Sequence, residues 1–219
     1  MALANPVAVS TSDLDSTPVV AVKRQTIDKV LIALGAVVAV VLAVAGGLLS
    51  WGNNFAEDYV HDELATQQIF FPAADALETE GRTDLVKYAG LQVTTGQHAE
   101  AYASYIDHHL AGIADGMTYA ELGGPERAAK AAVTEATDNG ASADEIAALQ
   151  AKADGVANQR NTLFKGETLR GLLLSAFAWA TIGRIAGIAA TVAFIAAAAM
   201  ALLVVFGMFH LRRVAHQEV

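Results

Sequence analysis

A chain of 219 residues that is 54% hydrophobic and carries a net charge of −9 is too apolar for an ordinary soluble domain. Its acidity excludes a nucleic-acid footprint, which needs clustered lysine and arginine. With no cysteine it forms no disulfide, thiolate metal site, iron–sulfur cluster or CxxCH haem attachment.

Residues 1–26 open with MALANPVAVSTSDLDSTPVV, small and polar, interrupted by Pro6 and Pro18, with no helical period; a flexible or partner-bound cytoplasmic tail is expected. Two long runs then lack charge, residues 30–53 and 185–209. Roughly 20 apolar residues cross the hydrocarbon core, so both runs are long enough to span. A signal peptide with the small-x-small site Ala43-Val44-Ala45 is the alternative for the first, but the apolar region and the segment before it are both too long. Lys23, Arg24 and Lys29 precede the first span and Arg212 and Arg213 follow the second, while the residues after Asn53 are acidic. Positive charge stays inside, so both termini are expected in the cytoplasm and residues 53–170 outside. Trp51 and Trp179 are expected near the outer boundary.

The connecting segment 52–170 holds 8 Lys and Arg against 19 Asp and Glu, a net of −11. Such a surface suits a basic partner, although ordinary solubility is the simpler account of it. Its pattern is helical. Residues 56–70 form a short amphipathic stretch with Tyr59, Leu64 and Ile69, and Pro72 sits at a helix start. Thr83-Asp84 begins another stretch, and Thr94-Thr95-Gly96 breaks before a histidine-rich helix that ends at Gly116. Pro125 follows a Gly-Gly turn at a first helical position, and Asn139-Gly140 is a stop. Ser142 with Glu145 is a capping box, opening a last outer helix to about Phe164. The second membrane helix, residues 171–211, is longer than a bilayer needs and is expected to project above it or to bend near Gly183, placing Arg184 near the outer boundary. Both spans carry small residues every four positions, Gly35, Ala39, Ala43 and Gly47 and then Ala189, Ala193, Ala197 and Ala201, a spacing that favours close helix packing.

Three of the six histidines fall in HAEAYASYIDHHLAGI, residues 98–113. At about 100° per residue His98, Tyr102, Tyr105 and His109 share one face, with Ile106, Leu110 and Ile113 on another. His98 and His109 are about 16 Å apart along the axis, and the side chains of His108 and His109 diverge, so one ion cannot be shared. No metal signature is present, nor a P-loop, GxGxxG or GxSxG. Ser104, Tyr105 and Asp107 have no spacing that activates a nucleophile, and His61-Asp62-Glu63 reads as a charged helix face. Catalytic, cofactor-binding and metal residues are therefore all expected to be absent. The four-residue histidine–tyrosine stripe is a candidate contact face.

GETLRGLLLSAFAWATIGRIA at 166–186 and VTTGQHAEAYASYIDHHLAGIADGMTYAEL at 93–122 resemble actinobacterial two-span membrane proteins. The shared elements are the TYAEL-like residues 118–122, the TLRGLLL approach at 168–174 and the basic HLRR ending at 210–213. The family looks similar to accessory factors of the cytochrome bc–aa3 respiratory supercomplex. That resemblance implies an assembly or structural subunit of the plasma membrane without its own redox centre, partnered by membrane subunits and lipid.

The expected fold is all-α: a cytoplasmic tail 1–26, transmembrane helix 27–52, an extracytoplasmic helical domain 53–170, a long helix 171–211 that includes the second span, and a cytoplasmic tail 212–219. The expected function is a non-catalytic accessory subunit with no nucleic acid and no small-molecule substrate. The alternative is an extracytoplasmic sensor or ligand-binding membrane protein, against which the short flanking tails speak.

Overall fold

The computed structural model describes residues 24–215, so most of the N-terminal tail and residues 216–219 lie outside the described residues. Five α-helices follow in order, α1 Arg24–Thr66, α2 Ala74–Thr79, α3 Gly96–Ala111, α4 Gly123–Asp138 and α5 Ala143–Ala215. Two 3₁₀ turns, Thr83–Tyr88 and Ala114–Gly116, lie between them. Among the described residues no strand forms; one antiparallel bridge joins Phe70 to Gln92. The described residues divide into two compact units, residues 24–44 with 193–215, and residues 45–192.

Two expected breaks do not occur. The first span and the amphipathic stretch that begins near Ala56 are one helix, α1, which ends at Thr66. The outer helix expected to stop near Phe164 runs on through α5, uninterrupted at Gly183. Gly52, Asn53 and Asn54, and later Gly166 and Gly183, are poor helix formers. Packing overrides propensity at several of them. A Cβ on Gly183 would stand 2.8 Å from Ala56 Cβ, and one on Gly166 would collide with Leu110. These glycines are contact points rather than hinges.

In the first unit the ends of α1 and α5 pack antiparallel. A Cβ on Gly35 would lie 3.0 Å from Val204, and one on Gly207 would lie 2.9 Å from Ile32. The outward side chains stay uncovered: Val30, Leu34 and Val37 on α1, and Ile195, Leu202 and Phe206 on α5. The four-residue stripes face the partner helix only in part. Gly35 and Ala39 are half-buried but Ala43 is exposed, and Ala193 and Ala197 are buried but Ala201 is exposed. A strict spacing of four rotates about 40° per step around a 3.6-residue helix, so such a stripe leaves the contact within two or three steps.

In the second unit two apolar clusters form. One joins Val60 and Leu64 of α1, Phe71, Val93, Ala99 and Ala103 of α3, and Leu173 of α5. The other joins Leu110, Ala114, Leu122 and Leu163. Fully burying a residue such as Leu173 or Val93 contributes about 1.5–3 kcal/mol each. Thr95 caps α3 by accepting from His98 N at 3.2 Å, and Ser142 Oγ accepts from Glu145 N at 3.2 Å as α5 begins. Helix α4 ends at Asp138, with Gly140 taking φ 69°. Helix α3 ends at Ala111, earlier than expected, and Gly116 closes a turn in which Ala114 and Asp115 are also left-handed. Such residues cost roughly 1–2 kcal/mol each; burial of Ala114 in the second cluster helps offset this.

The two tryptophans do not share a level. Trp179 lies beside Phe55, Ala56 and Tyr59, while Asn53 faces Gly187. Trp51 is therefore about two turns away along the helix pair. It stacks on Phe55 at 5.7 Å, and Phe55 on Tyr59 at 6.2 Å, forming an exposed aromatic ladder along α1.

Gly96 makes the tightest crossing of α3 on α5: a Cβ there would collide with Ala180 and stand 3.4 Å from Phe177 Cα. Gly96→Ala should lower stability by about 1–3 kcal/mol through overpacking. Gly171, with nothing within 4 Å, provides the contrast. Gly171→Ala should raise stability by roughly 0.5–1 kcal/mol. Thermal unfolding followed by helical circular dichroism checks both signs.

Candidate functional site

The histidine helix splits the expected contact stripe in two. His98 is half-buried, with its ring edge-on to Phe71 at 6.3 Å and to Tyr88 at 5.5 Å. Its Nδ1 lies 3.0 Å from Gln92 O, which fits Nδ1–H donating to that carbonyl and holding the Phe70–Gln92 corner. Tyr102 completes the aromatic cluster, 5.3 Å from Phe71, and burial pushes its phenol pKa up. His98 and Tyr102 thus pack internally. Burial, followed by the hydrogen bond to Glu80, also raises the Tyr105 pKa.

The C-terminal half of the stripe stays accessible. The His109 ring lies 4.4 Å from that of Tyr105, tilted by 58°, with Nδ1 3.0 Å from Tyr105 O and Nε2 3.7 Å from Glu80 Oε2. His108 is exposed beside it. Among the described residues no group of three His, Cys, Asp or Glu is placed to hold a metal.

Two arginines fix this helix. Arg82 Nε and Nη2 donate to the two oxygens of Asp84 at 3.0 and 2.9 Å, while Nη1 donates to Ser104 O and Nη2 to Ser104 Oγ, both at 2.8 Å. One planar guanidinium therefore joins the 3₁₀ turn to the middle of α3. The Arg82 hydrogen bond holds the Asp84 carboxyl below its ordinary pKa. Arg170 Nε reaches Asp107 at 3.4 Å, tying α3 to α5. A third arginine secures α4: Arg160 Nη1 donates to Glu126 at 2.7 Å, Nε donates to Tyr119 O at 3.2 Å, and the guanidinium lies 4.1 Å above the Tyr119 ring. Hydrogen bonds from Lys130 and then Arg160 lower the Glu126 pKa. Sequence reading missed these ties because their partners lie on different elements.

Beside the start of α3 is an open cleft of about 480 Å³. Glu57, Asp58, His61, Thr95, His98 and Arg184 are among the residues that line it. Arg184 is exposed at its wall and forms no ion pair among the described residues. The cleft offers both signs of charge but no nucleophile held by a base. An apolar groove on the same unit runs along Leu64, Ile69, Leu172, Leu173, Ala176 and Trp179. No family model matches the chain, and no curated protein or solved structure does either.

The Arg82 fork sets a pH response. Asp84 has a depressed folded pKa, so its contribution is present above the unfolded value near 4 and is lost as pH falls through the folded value. Amide-exchange protection at residues 83–104 should hold at neutral pH and fall below about pH 4. Asp84→Asn should flatten that dependence. Arg82→Leu should lower protection at every pH, because it removes the bonds to Ser104 O and Oγ that tie the 3₁₀ turn to α3.

Proposed function

We propose that the protein is a non-catalytic accessory subunit of a membrane assembly, anchored by two spans with residues 53–170 outside the cell. The observation that carries this reading is the uncovered apolar surface of α1 and α5. Their most hydrophobic windows have mean hydropathies of 2.7 and 2.6, yet only 6% and 11% of those windows are buried. A soluble core helix of that composition would be buried almost all round. Each charge-free run between the flanking charges, residues 30–56 and 185–211, contains 27 residues. That length gives about 40 Å of helix, close to a bilayer with its headgroup regions.

The respiratory assignment rests on the TLRGLLL, TYAEL and HLRR resemblance alone. On that reading the partners are subunits of a cytochrome bc–aa3 supercomplex in the plasma membrane. The accessible end of the histidine helix, His108 and His109 beside Glu80, is the contact face on the outer side. Purification in mild detergent should bring down cytochrome subunits in fixed ratio, and His109→Ala should lower that ratio without releasing metal. Recovery of the chain alone would contradict the reading.

A second reading, an extracytoplasmic ligand-binding membrane protein, is favoured by the mixed-charge cleft at Arg184. It predicts that Arg184→Gln abolishes retention of a co-purifying small molecule while leaving subunit recovery unchanged; mass spectrometry of the denatured eluate measures it.

A further inference from the structure

The first unit contains a second feature that its helix packing does not use. An open, mostly apolar groove of about 590 Å³ runs between α1 and α5. Ile32, Ala36, Val204 and Met208 line its length, and Lys29 and Arg212 stand in its wall. Gly35 against Val204 and Gly207 against Ile32 bring the helices close, and the small side chain of Ala36 leaves room beside that contact. No carboxylate lines the groove, and among the described residues neither Lys29 nor Arg212 forms an ion pair.

We infer that this groove binds one anionic phospholipid, its phosphate between Lys29 and Arg212 and an acyl chain along Ile32, Ala36, Val204 and Met208. The chemistry is complementary at both ends. The groove offers an acyl chain a shaped apolar surface, where the gain within the bilayer is van der Waals packing. The two cations would favour an anionic headgroup over a zwitterionic one by about fivefold each. Arg212 adds a planar fork that can hold a phosphate in two hydrogen bonds, while Lys29 acts as a point charge. The inference rests on the two-span reading, since the lipid reaches the groove from the surrounding bilayer.

The test uses the full chain in phosphatidylcholine nanodiscs doped with phosphatidylglycerol, with native mass spectrometry counting the lipid retained on release. Wild type should retain phosphatidylglycerol over phosphatidylcholine by about tenfold or more, and Lys29→Gln and Arg212→Gln should each reduce that ratio by about fivefold. Ala36→Leu should reduce it with both cations present, because it fills the groove. Arg213→Gln, an equal loss of charge at an exposed residue outside the lining, should change it less than twofold. Helical circular dichroism of every variant confirms that the fold is kept. If Arg213→Gln matches Arg212→Gln, or Ala36→Leu has no effect, diffuse surface attraction explains the preference and the site is overturned. Carbonate-resistant insertion separates the two levels of the account: insertion without lipid preference overturns the lipid site alone, and failure to insert overturns the two-span reading with it.

Discussion

The constraint on which the structure depends is the apolar surface that α1 and α5 present to their surroundings. Leu48, Ile195 and Phe206 are 65%, 65% and 66% exposed. In water this surface would drive aggregation; in hydrocarbon it is at rest, and a helix already satisfies its own backbone groups there. Helix–helix association then has little hydrophobic drive and relies on close approach. The Gly35–Val204 and Gly207–Ile32 contacts provide that approach in the first unit.

The second unit is built differently. Glycine contacts recur, with Gly183 against Ala56 and Gly96 against Ala180, but two small apolar clusters and three arginine ties add to them. Arg82, Arg160 and Arg170 each join elements distant in sequence. Two of them act on α3, so the orientation of the histidine helix depends on polar geometry as well as burial. An exposed ion pair such as Arg170–Asp107 contributes little to stability, whereas the multiply bonded Arg82, with only 12% of its side chain exposed, fixes a definite arrangement.

Helix content and the two apolar runs were legible in the sequence because each is a local signal: charge-free length, capping at Ser142, the stop at Asn139-Gly140. The continuity of α1 and α5 was not. The expected ends at residue 52 and near Phe164 lie beside the poor helix formers Asn53 and Gly166, and the contacts of Asn53 with Gly187 and of Gly166 with Leu110 come from other helices. The same limit applies to His98. Its position on the helix wheel placed it correctly beside Tyr102, but whether that face looked outward depended on Phe71 and Tyr88, which come from elsewhere in the chain. The four-residue stripes reach the opposing helix only in part for a geometric reason, the drift of such a spacing around the helix.

The central claim is that both apolar helices cross a bilayer and leave residues 53–170 outside. The chain has no cysteine, so single introduced thiols report position without background. Labelling Ser142→Cys and Thr26→Cys in intact cells with a membrane-impermeant maleimide tests it most directly. The account predicts that the residue-142 variant labels at once and the residue-26 variant labels only after permeabilisation. Equal labelling of both in intact cells, or of neither, would contradict it.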